Sequence, residues 1–252
     1  WLANDLISDP AKAALGGLVI GLLFGALAQS SRFCLRSACM EFWRGRLQQN
    51  VVIWLMVFGA ALVGAQLLFV SGGLVATEVR QLTAVGTMSG AVIGGLMFGV
   101  GMILARGCAS RLLVLSATGN LRALVAGLVI TVVAQASLSG VLSPLRNGLS
   151  RLWMVGPETR NLMQMVPDYT GIVLGIAILA LALFLALRAW PGWQRIVLAL
   201  GLGATVAAGW AFTAALSRVS FAPITVGSVS FTGPSANTLM ALITEPSLPL
   251  DF

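Results

Sequence analysis

Two short segments of the chain repeat each other, and their side chains are the ones best suited to chemistry. Arg32-Phe33-Cys34 and Arg106-Gly107-Cys108 each place an arginine two residues before a cysteine. In both copies the cysteine lies nine residues after the glycine of a Phe-Gly pair, and the two copies are offset by 74 residues. A thiol beside a cation at the end of an apolar helix indicates a site that attracts an anion.

The residues around these thiols limit the chemistry that they can perform. The chain has no histidine to act as a base, which a nucleophilic cysteine would need. The three cysteines, at positions 34, 39 and 108, have neither a C-x-x-C nor a zinc-site spacing. We therefore expect no enzyme activity, no metal and no cofactor.

A neutral thiol is a weak S–H donor and a soft acceptor. Such a group suits a sulfur-bearing anion better than phosphate or sulfate, which call for cradles of arginine and backbone N–H groups. Arg32 and Arg106 would then attract the anion, and Gly107 would allow its close approach. Two other interpretations stay open: each arginine could extend to lipid head groups, and each cysteine could be a small core residue.

The composition is that of a membrane protein. Hydrophobic residues make up 58% of the 252 positions and charged residues only 9%, and the mean hydropathy is +0.95. Soluble domains have about 25% charged residues. The net charge of +7 comes from arginines between apolar runs, which is typical of membrane topology signals and not of nucleic-acid binding.

Apolar runs of about 20 residues predict an all-α polytopic bundle with about six spans. The runs cover residues 13–31, 51–70, 87–105, 122–142, 170–189 and 196–216. We expect a single transmembrane domain over 1–252, with an internal repeat (15–70 and 88–142) and a loop or cap over 218–252. Within that cap, residues 236–243 could form a short helix. The cysteine segments either cross the membrane or form re-entrant helices.

Three finer expectations concern the loops and the first span. Glycines at 17, 21 and 25 share one helical face and would let a neighbouring helix approach closely. A polar turn should follow Cys34. Beyond the two arginines of the repeated motif, loops after spans one, three and five hold seven Lys or Arg against six on the other side, which favours an external N-terminus.

The chain resembles the YeeE/YedE family of bacterial membrane proteins, which take up thiosulfate or related sulfur and selenium compounds. Three stretches carry the resemblance: Phe24-Gly25 through Ser31-Arg32-Phe33-Cys34-Leu35-Arg36-Ser37-Ala38, Gly94-Gly95-Leu96-Met97-Phe98-Gly99 through Ala105-Arg106-Gly107-Cys108, and Phe231-Thr232-Gly233-Pro234-Ser235. The resemblance covers roughly residues 15 to 245.

The resemblance implies a thiosulfate permease of the bacterial plasma (inner) membrane. Cys34 and Cys108 would be two steps of a path along which thiols relay thiosulfate through S–H···S hydrogen bonds. A cytoplasmic sulfurtransferase of the TusA type would be a partner. The alternatives are a non-transporting membrane subunit that delivers sulfur to such an enzyme, transport of selenium compounds, and a thiol-redox enzyme.

The chain departs from the family pattern at three places. Family members continue beyond the Phe231–Ser235 loop to another Gly-Cys motif, so this chain is either trimmed or short of one thiol. Arg106 stands where glycine is common, which predicts a tighter or more positive second site. Cys39 stands where an aromatic residue is usual, and we expect it to be structural.

Overall fold

Helices account for almost all of the regular structure in the computed structural model, which describes residues 8–156, 169–220 and 224–244. Six helical segments are long and apolar enough to cross a membrane, which confirms the predicted all-α polytopic class. They are Asp9–Trp43, Gln49–Val70, Met88–Ala117, Leu121–Leu138, Thr170–Arg188 and Trp193–Val219. Each lies on one of the six apolar runs predicted from the sequence.

The described residues form two compact units, each of which is considered by itself. The first unit contains residues up to 83 and from 169 to 229, and the second contains residues 84–156 and 230–244. The first unit holds α1 (Asp9–Ser30), α2 (Leu35–Trp43), α3 (Gln49–Val70) and α4 (Arg80–Thr83). It also holds two helices from later in the chain, α9 (Thr170–Arg188) and α10 (Trp193–Val219).

Helix α3 is the centre of the first unit, where it packs against α2, α9 and α10, and α1 packs against α10. Glycines make the close approaches of α3 to its neighbours. A Cβ built on Gly203 would lie 2.6 Å from the carbonyl O of Val57, and one on Gly59 would lie 2.8 Å from Leu179. A side chain at Gly203 would have to displace the backbone of α3, and one at Gly59 would have to displace the Leu179 side chain.

The predicted glycine stripe of α1 behaves differently. No heavy atom of the described residues lies within 4 Å of a Cβ built on Gly17, Gly21 or Gly25. The close approach expected at this stripe is therefore not made within the described part of the chain. Helix α1 instead approaches α10 through Gly16, which faces the ring of Phe212.

Polar side chains fasten one end of the first unit. Lys12, only 3% exposed, pairs with Asp9 at 3.1 Å, and the Ser220 hydroxyl donates to the same carboxylate. Arg218, near the end of α10, donates to Glu78 at 3.2 Å. This hydrogen bond lowers the pKa of the Glu78 carboxyl below its ordinary value.

The second unit is built on the second copy of the repeat. It contains α5 (Met88–Leu104), α6 (Ala109–Ala117), α7 (Leu121–Leu138), α8 (Ser143–Arg151) and α11 (Thr232–Thr244). Helix α7 packs against α6 and α11, and α5 packs against α8. A two-residue antiparallel pair joins β1 (Gly86–Thr87) to β2 (Met154–Val155). The Thr87 hydroxyl accepts from Gly90 N at 2.9 Å and so caps α5.

Two predictions about loops were wrong or too short. The segment after Cys34 was predicted to be a polar turn, but it forms the nine-residue helix α2. The chain turns only afterwards, at Gly45 with φ +68°. In the cap, α11 begins at Thr232, four residues before the predicted short helix. The chain between the fourth and fifth spans begins with α8, and its residues 157–168 lie outside the described part.

Candidate functional site

The first arginine–cysteine segment forms a tight turn that ends α1. The amide of Arg32 donates to Gln29 O at 3.2 Å, and that of Phe33 donates to Ala28 O at 3.1 Å. This pair of bonds defines a Schellman motif with Arg32 at the left-handed position. Its φ is +56°, a conformation that costs an L-residue about 1–2 kcal/mol.

The second segment forms the same turn at the end of α5. The amide of Arg106 donates to Ile103 O at 3.3 Å, and that of Gly107 donates to Met102 O at 3.1 Å. The φ of Arg106 is +58°, within two degrees of its counterpart. Glycine is the residue that this position favours. Arginine occupies it in both copies.

After each turn the cysteine is the N-cap of a nine-residue helix. The carbonyl of Cys34 accepts from Ala38 N at 3.2 Å, and the carbonyl of Cys108 accepts from Leu112 N at 3.0 Å. Neither thiol caps the first-turn amides of its helix. The partial positive charge of these amides therefore adds to that of the arginine.

The two thiols have different surroundings. Cys108 is 8% exposed, and its Sγ lies 3.2 Å from the Ser110 hydroxyl oxygen. Gly107 is also buried, and a Cβ there would lie 3.4 Å from Leu112. Cys34 is partly exposed. Arg36 follows it, and the Nε of Arg36 is buried with no hydrogen-bond partner among the described residues.

Both guanidinium side chains of the repeated motif are exposed. Neither guanidinium makes a hydrogen bond or ion pair within the described residues. Their charges are thus available to an incoming anion. Local spacing predicted this pairing of arginine and cysteine, but not the strained backbone that presents it.

Arg195, near the start of α10, holds the first turn in place, and sequence reasoning treated it only as a topology charge. Its Nε donates to Ser31 O, the C-cap carbonyl of α1, at 3.3 Å. Its Nη1 donates to Gln49 Oε1 at 2.9 Å, and Gln49 Nε2 donates to Trp190 O at 3.1 Å. These residues are distant in sequence, so only the fold reveals the contact.

Glu41 fastens the other end of α2. One carboxylate oxygen accepts from Asn50 N at 3.0 Å and from Val51 N at 3.2 Å, and the other accepts from the Asn50 side chain. The negative charge thus faces the positive start of α3. These hydrogen bonds hold helix α2 against the start of α3.

The Phe231–Ser235 stretch that carries part of the family resemblance lies against the second copy. A small cavity in the second unit is lined by Ala109, the first residue of α6, together with Thr131, Phe231 and Ser235. The Ser235 amide donates to Phe231 O at 3.3 Å and starts α11. Sequence reasoning placed this stretch in a cap and did not predict its place beside the residue that follows Cys108.

Cys34 and Cys108 belong to different compact units. The hypothesis that they line one path therefore stays a prediction. Cys39, expected to be structural, is exposed. In the described ranges, no group of three or more His, Cys, Asp or Glu residues could hold a metal ion.

Comparison with known proteins gives a consistent result. A family model described as "Sulphur transport" matches residues 30–252. The chain is 36% identical over 130 residues to a protein named thiosulfate transporter TsuA from Spirochaeta thermophila, over 50% of this chain and 37% of that one. It is 33% identical over 96 residues to the protein of the same name from Escherichia coli, over 38% and 26%. Each match thus spans well under half of the relative's length.

Proposed function

Because the chain belongs to the sulphur transport family, we propose that this multi-pass membrane protein takes up thiosulfate across the bacterial inner membrane. The observation that carries the proposal is the duplicated turn. In each copy a left-handed arginine stands two residues before the cysteine that is the N-cap residue of the next helix, so a cation, a thiol and a helix N-terminus occur together in the chain twice. The two relatives named as thiosulfate transporters match in sequence over part of the chain.

Thiosulfate has two chemically different ends, and the turn offers a group for each. The oxygen end carries hard acceptors that suit a guanidinium and the uncapped amides of α2 or α6. The terminal sulfur is soft, and the thiol of Cys34 or Cys108 can donate its S–H to it. Binding of this kind forms no covalent bond and needs no base, so the proposed function is transport without enzyme activity.

The two copies would hold the anion with different strength. At Cys108 the Ser110 hydroxyl lies within hydrogen-bond distance of the sulfur and can orient the thiol. Gly107 leaves room for the anion where the first copy has Phe33. At Cys34 the buried Nε of Arg36 has no partner among the described residues, and the second copy has Ser110 at that position.

Uptake of ³⁵S-labelled thiosulfate into proteoliposomes tests this proposal. We expect Cys34→Ser and Cys108→Ser each to reduce the initial rate about ten-fold or more, because a hydroxyl is a poor partner for soft sulfur. The control is Cys39→Ser, which removes the remaining cysteine of the chain and should transport normally. Normal uptake by both test variants would overturn the proposal.

The same assay separates the transporter from a subunit that only delivers sulfur to a TusA-like sulfurtransferase. Proteoliposomes contain no soluble protein, so a delivery subunit would accumulate no label. Competition with unlabelled sulfate and selenium oxyanions then gives the substrate class. A preference for sulfate would contradict the role assigned to the thiols.

A further inference from the structure

Helix α8 of the second unit is the most amphipathic of the three nine-residue helices in the described part of the chain. Four leucines are spaced three or four residues apart and therefore share one helical face. They are Leu142, Leu145, Leu149 and Leu152. Arg146, Asn147 and Arg151 lie outside that face. A helix of nine residues is about 13 Å long, which is too short to cross a membrane.

Hydrogen bonds fix α8 at one end of the second unit. The hydroxyl of Thr87, the N-cap residue of α5, donates to Ser150 O at 2.6 Å, and the Ser89 hydroxyl donates to Leu149 O at 2.8 Å. The helix begins five residues after the end of α7, with which it is also in contact. Helices α5 and α7 both belong to membrane spans. Helix α8 therefore lies where one span begins and another ends, at the boundary between membrane and water.

The leucine face of α8 is left open by the described residues. Leu145 and Leu152 are 62% and 71% exposed, and Trp153, which follows the helix, is 58% exposed. A short helix with leucine and tryptophan on one side and arginine on the others is typical of segments that lie in the head-group region of a bilayer.

The charges around α8 are positive. Arg146 and Arg151 are exposed, and neither belongs to the two ion pairs found among the described residues. The Arg146 guanidinium donates to the side-chain oxygen of Asn147, which is neutral, at 3.0 Å. The described residues of the second unit contain five arginines and no Asp or Glu. From residue 143 to residue 160 the sequence has three arginines against one acid, Glu158.

We propose that α8 lies along the membrane surface and binds the head groups of anionic phospholipids. Its leucine face and Trp153 enter the outer part of the acyl layer, and Arg146 and Arg151 extend to the phosphate groups. Charge complementarity selects anionic lipid, because a zwitterionic head group brings its own cation and leaves the arginines uncompensated. The inference does not depend on the proposed transport function, and its test measures no transport.

Fluorophores on two sides of α8 provide the first measurement. Replacing all three cysteines by serine gives a chain without thiols, and either Leu145→Cys or Asn147→Cys is then labelled with an environment-sensitive dye. Both positions are exposed, so neither change removes a buried contact, and elution volume checks the fold. In lipid nanodiscs, phosphatidylcholine with a spin label high on its acyl chain should quench the dye at position 145 strongly and the dye at position 147 weakly.

The lipid preference is measured with the dye at position 145. Spin-labelled phosphatidylglycerol should reach half-maximal quenching at a lower mole fraction than phosphatidylcholine that carries the same label. The variant Arg146→Gln/Arg151→Gln should raise the mole fraction of phosphatidylglycerol needed, by about five-fold for each arginine. The matched control is Arg44→Gln/Arg46→Gln, which removes two exposed arginines from the first unit and should keep the preference of the parent.

Three outcomes would overturn the proposal. Equal quenching at positions 145 and 147 would show that the leucine face does not enter the lipid. Equal mole fractions for the two lipids, or an equal effect of the test and control variants, would show that the arginines do not select anionic head groups. Weak quenching at position 145 by both lipids would show that protein covers the leucines, and elution as a dimer would then identify the cover as a second copy of the chain.

Discussion

Replacing Arg32 or Arg106 by glycine should make the protein more stable and a poorer transporter. Both residues adopt a left-handed backbone, at φ +56° and +58°. Glycine removes the steric conflict of about 1–2 kcal/mol. Glycine also lowers the free energy of unfolding by about 0.4–1 kcal/mol, because it increases the conformational entropy of the unfolded chain. The hydrogen bonds of each turn are made by the backbone and remain in the variant.

The net gain for each substitution is then about 0.5–1 kcal/mol of unfolding free energy. For a chain of 150–250 residues, 1 kcal/mol raises Tm by about 2–4 °C. Neither guanidinium has a hydrogen bond or ion pair among the described residues that would offset this gain. Intrinsic tryptophan fluorescence during heating measures the shift.

Thiosulfate uptake should change in the opposite direction. A charged hydrogen bond contributes about 1.5–3 kcal/mol, so loss of either guanidinium should lower uptake at low substrate about ten-fold or more. Arg32→Ala and Arg106→Ala are the matched controls, because they remove the charge and keep a Cβ. They should lose uptake without the gain in Tm.

Two results would refute this reasoning. A glycine variant that is less stable than the parent would show that the left-handed arginine carries no strain. A glycine variant that transports normally would show that the side chain has no part in uptake, whatever the stability.

The remaining predictions concern stability. Arg195→Gln should cost about 1–3 kcal/mol, because it leaves the buried C-cap carbonyl of α1 unpaired, and the Tm of the exposed control Arg122→Gln should not change. Glu78 has a lowered pKa, so its contribution to the free energy of unfolding is present above the ordinary value of 4.5 and is lost as the pH falls below it. The acid-induced fall in Tm should therefore be smaller in Glu78→Gln than in the parent, and an equal fall would contradict this. Gly203→Ala should cost about 1–3 kcal/mol by overpacking against α3, whereas Gly21→Ala, in open space, should gain up to about 1 kcal/mol from helix propensity.

The sequence was sufficient to predict the six spans, because the length of an apolar run is a local property. It was not sufficient for α2 and α6. Each is only nine residues long and carries polar side chains that are also common in turns. The offset of 74 residues continues through both helices, and this was the signal that could have revealed them.

Packing could not be predicted for a different reason. The glycines of α1 looked like a contact surface, yet the close approaches involve Gly59 and Gly203 around α3. Which glycine meets a neighbour depends on which helix lies opposite, and no local pattern contains that information. The bond from Arg195 to Ser31 joins residues that lie 164 positions apart and is invisible in the sequence for the same reason.

The contacts on either side of Cys34 also limit which parts of the protein could move during transport. Upstream, the Ser31 carbonyl is held by Arg195 of α10. Downstream, Glu41 joins α2 to the first amides of α3. A swing of the thiol relative to α3 and α10 would have to break both attachments. Within the first unit Cys34 should therefore stay fixed relative to α3 and α10, so that in the proposed transport an anion would pass it without being carried by it.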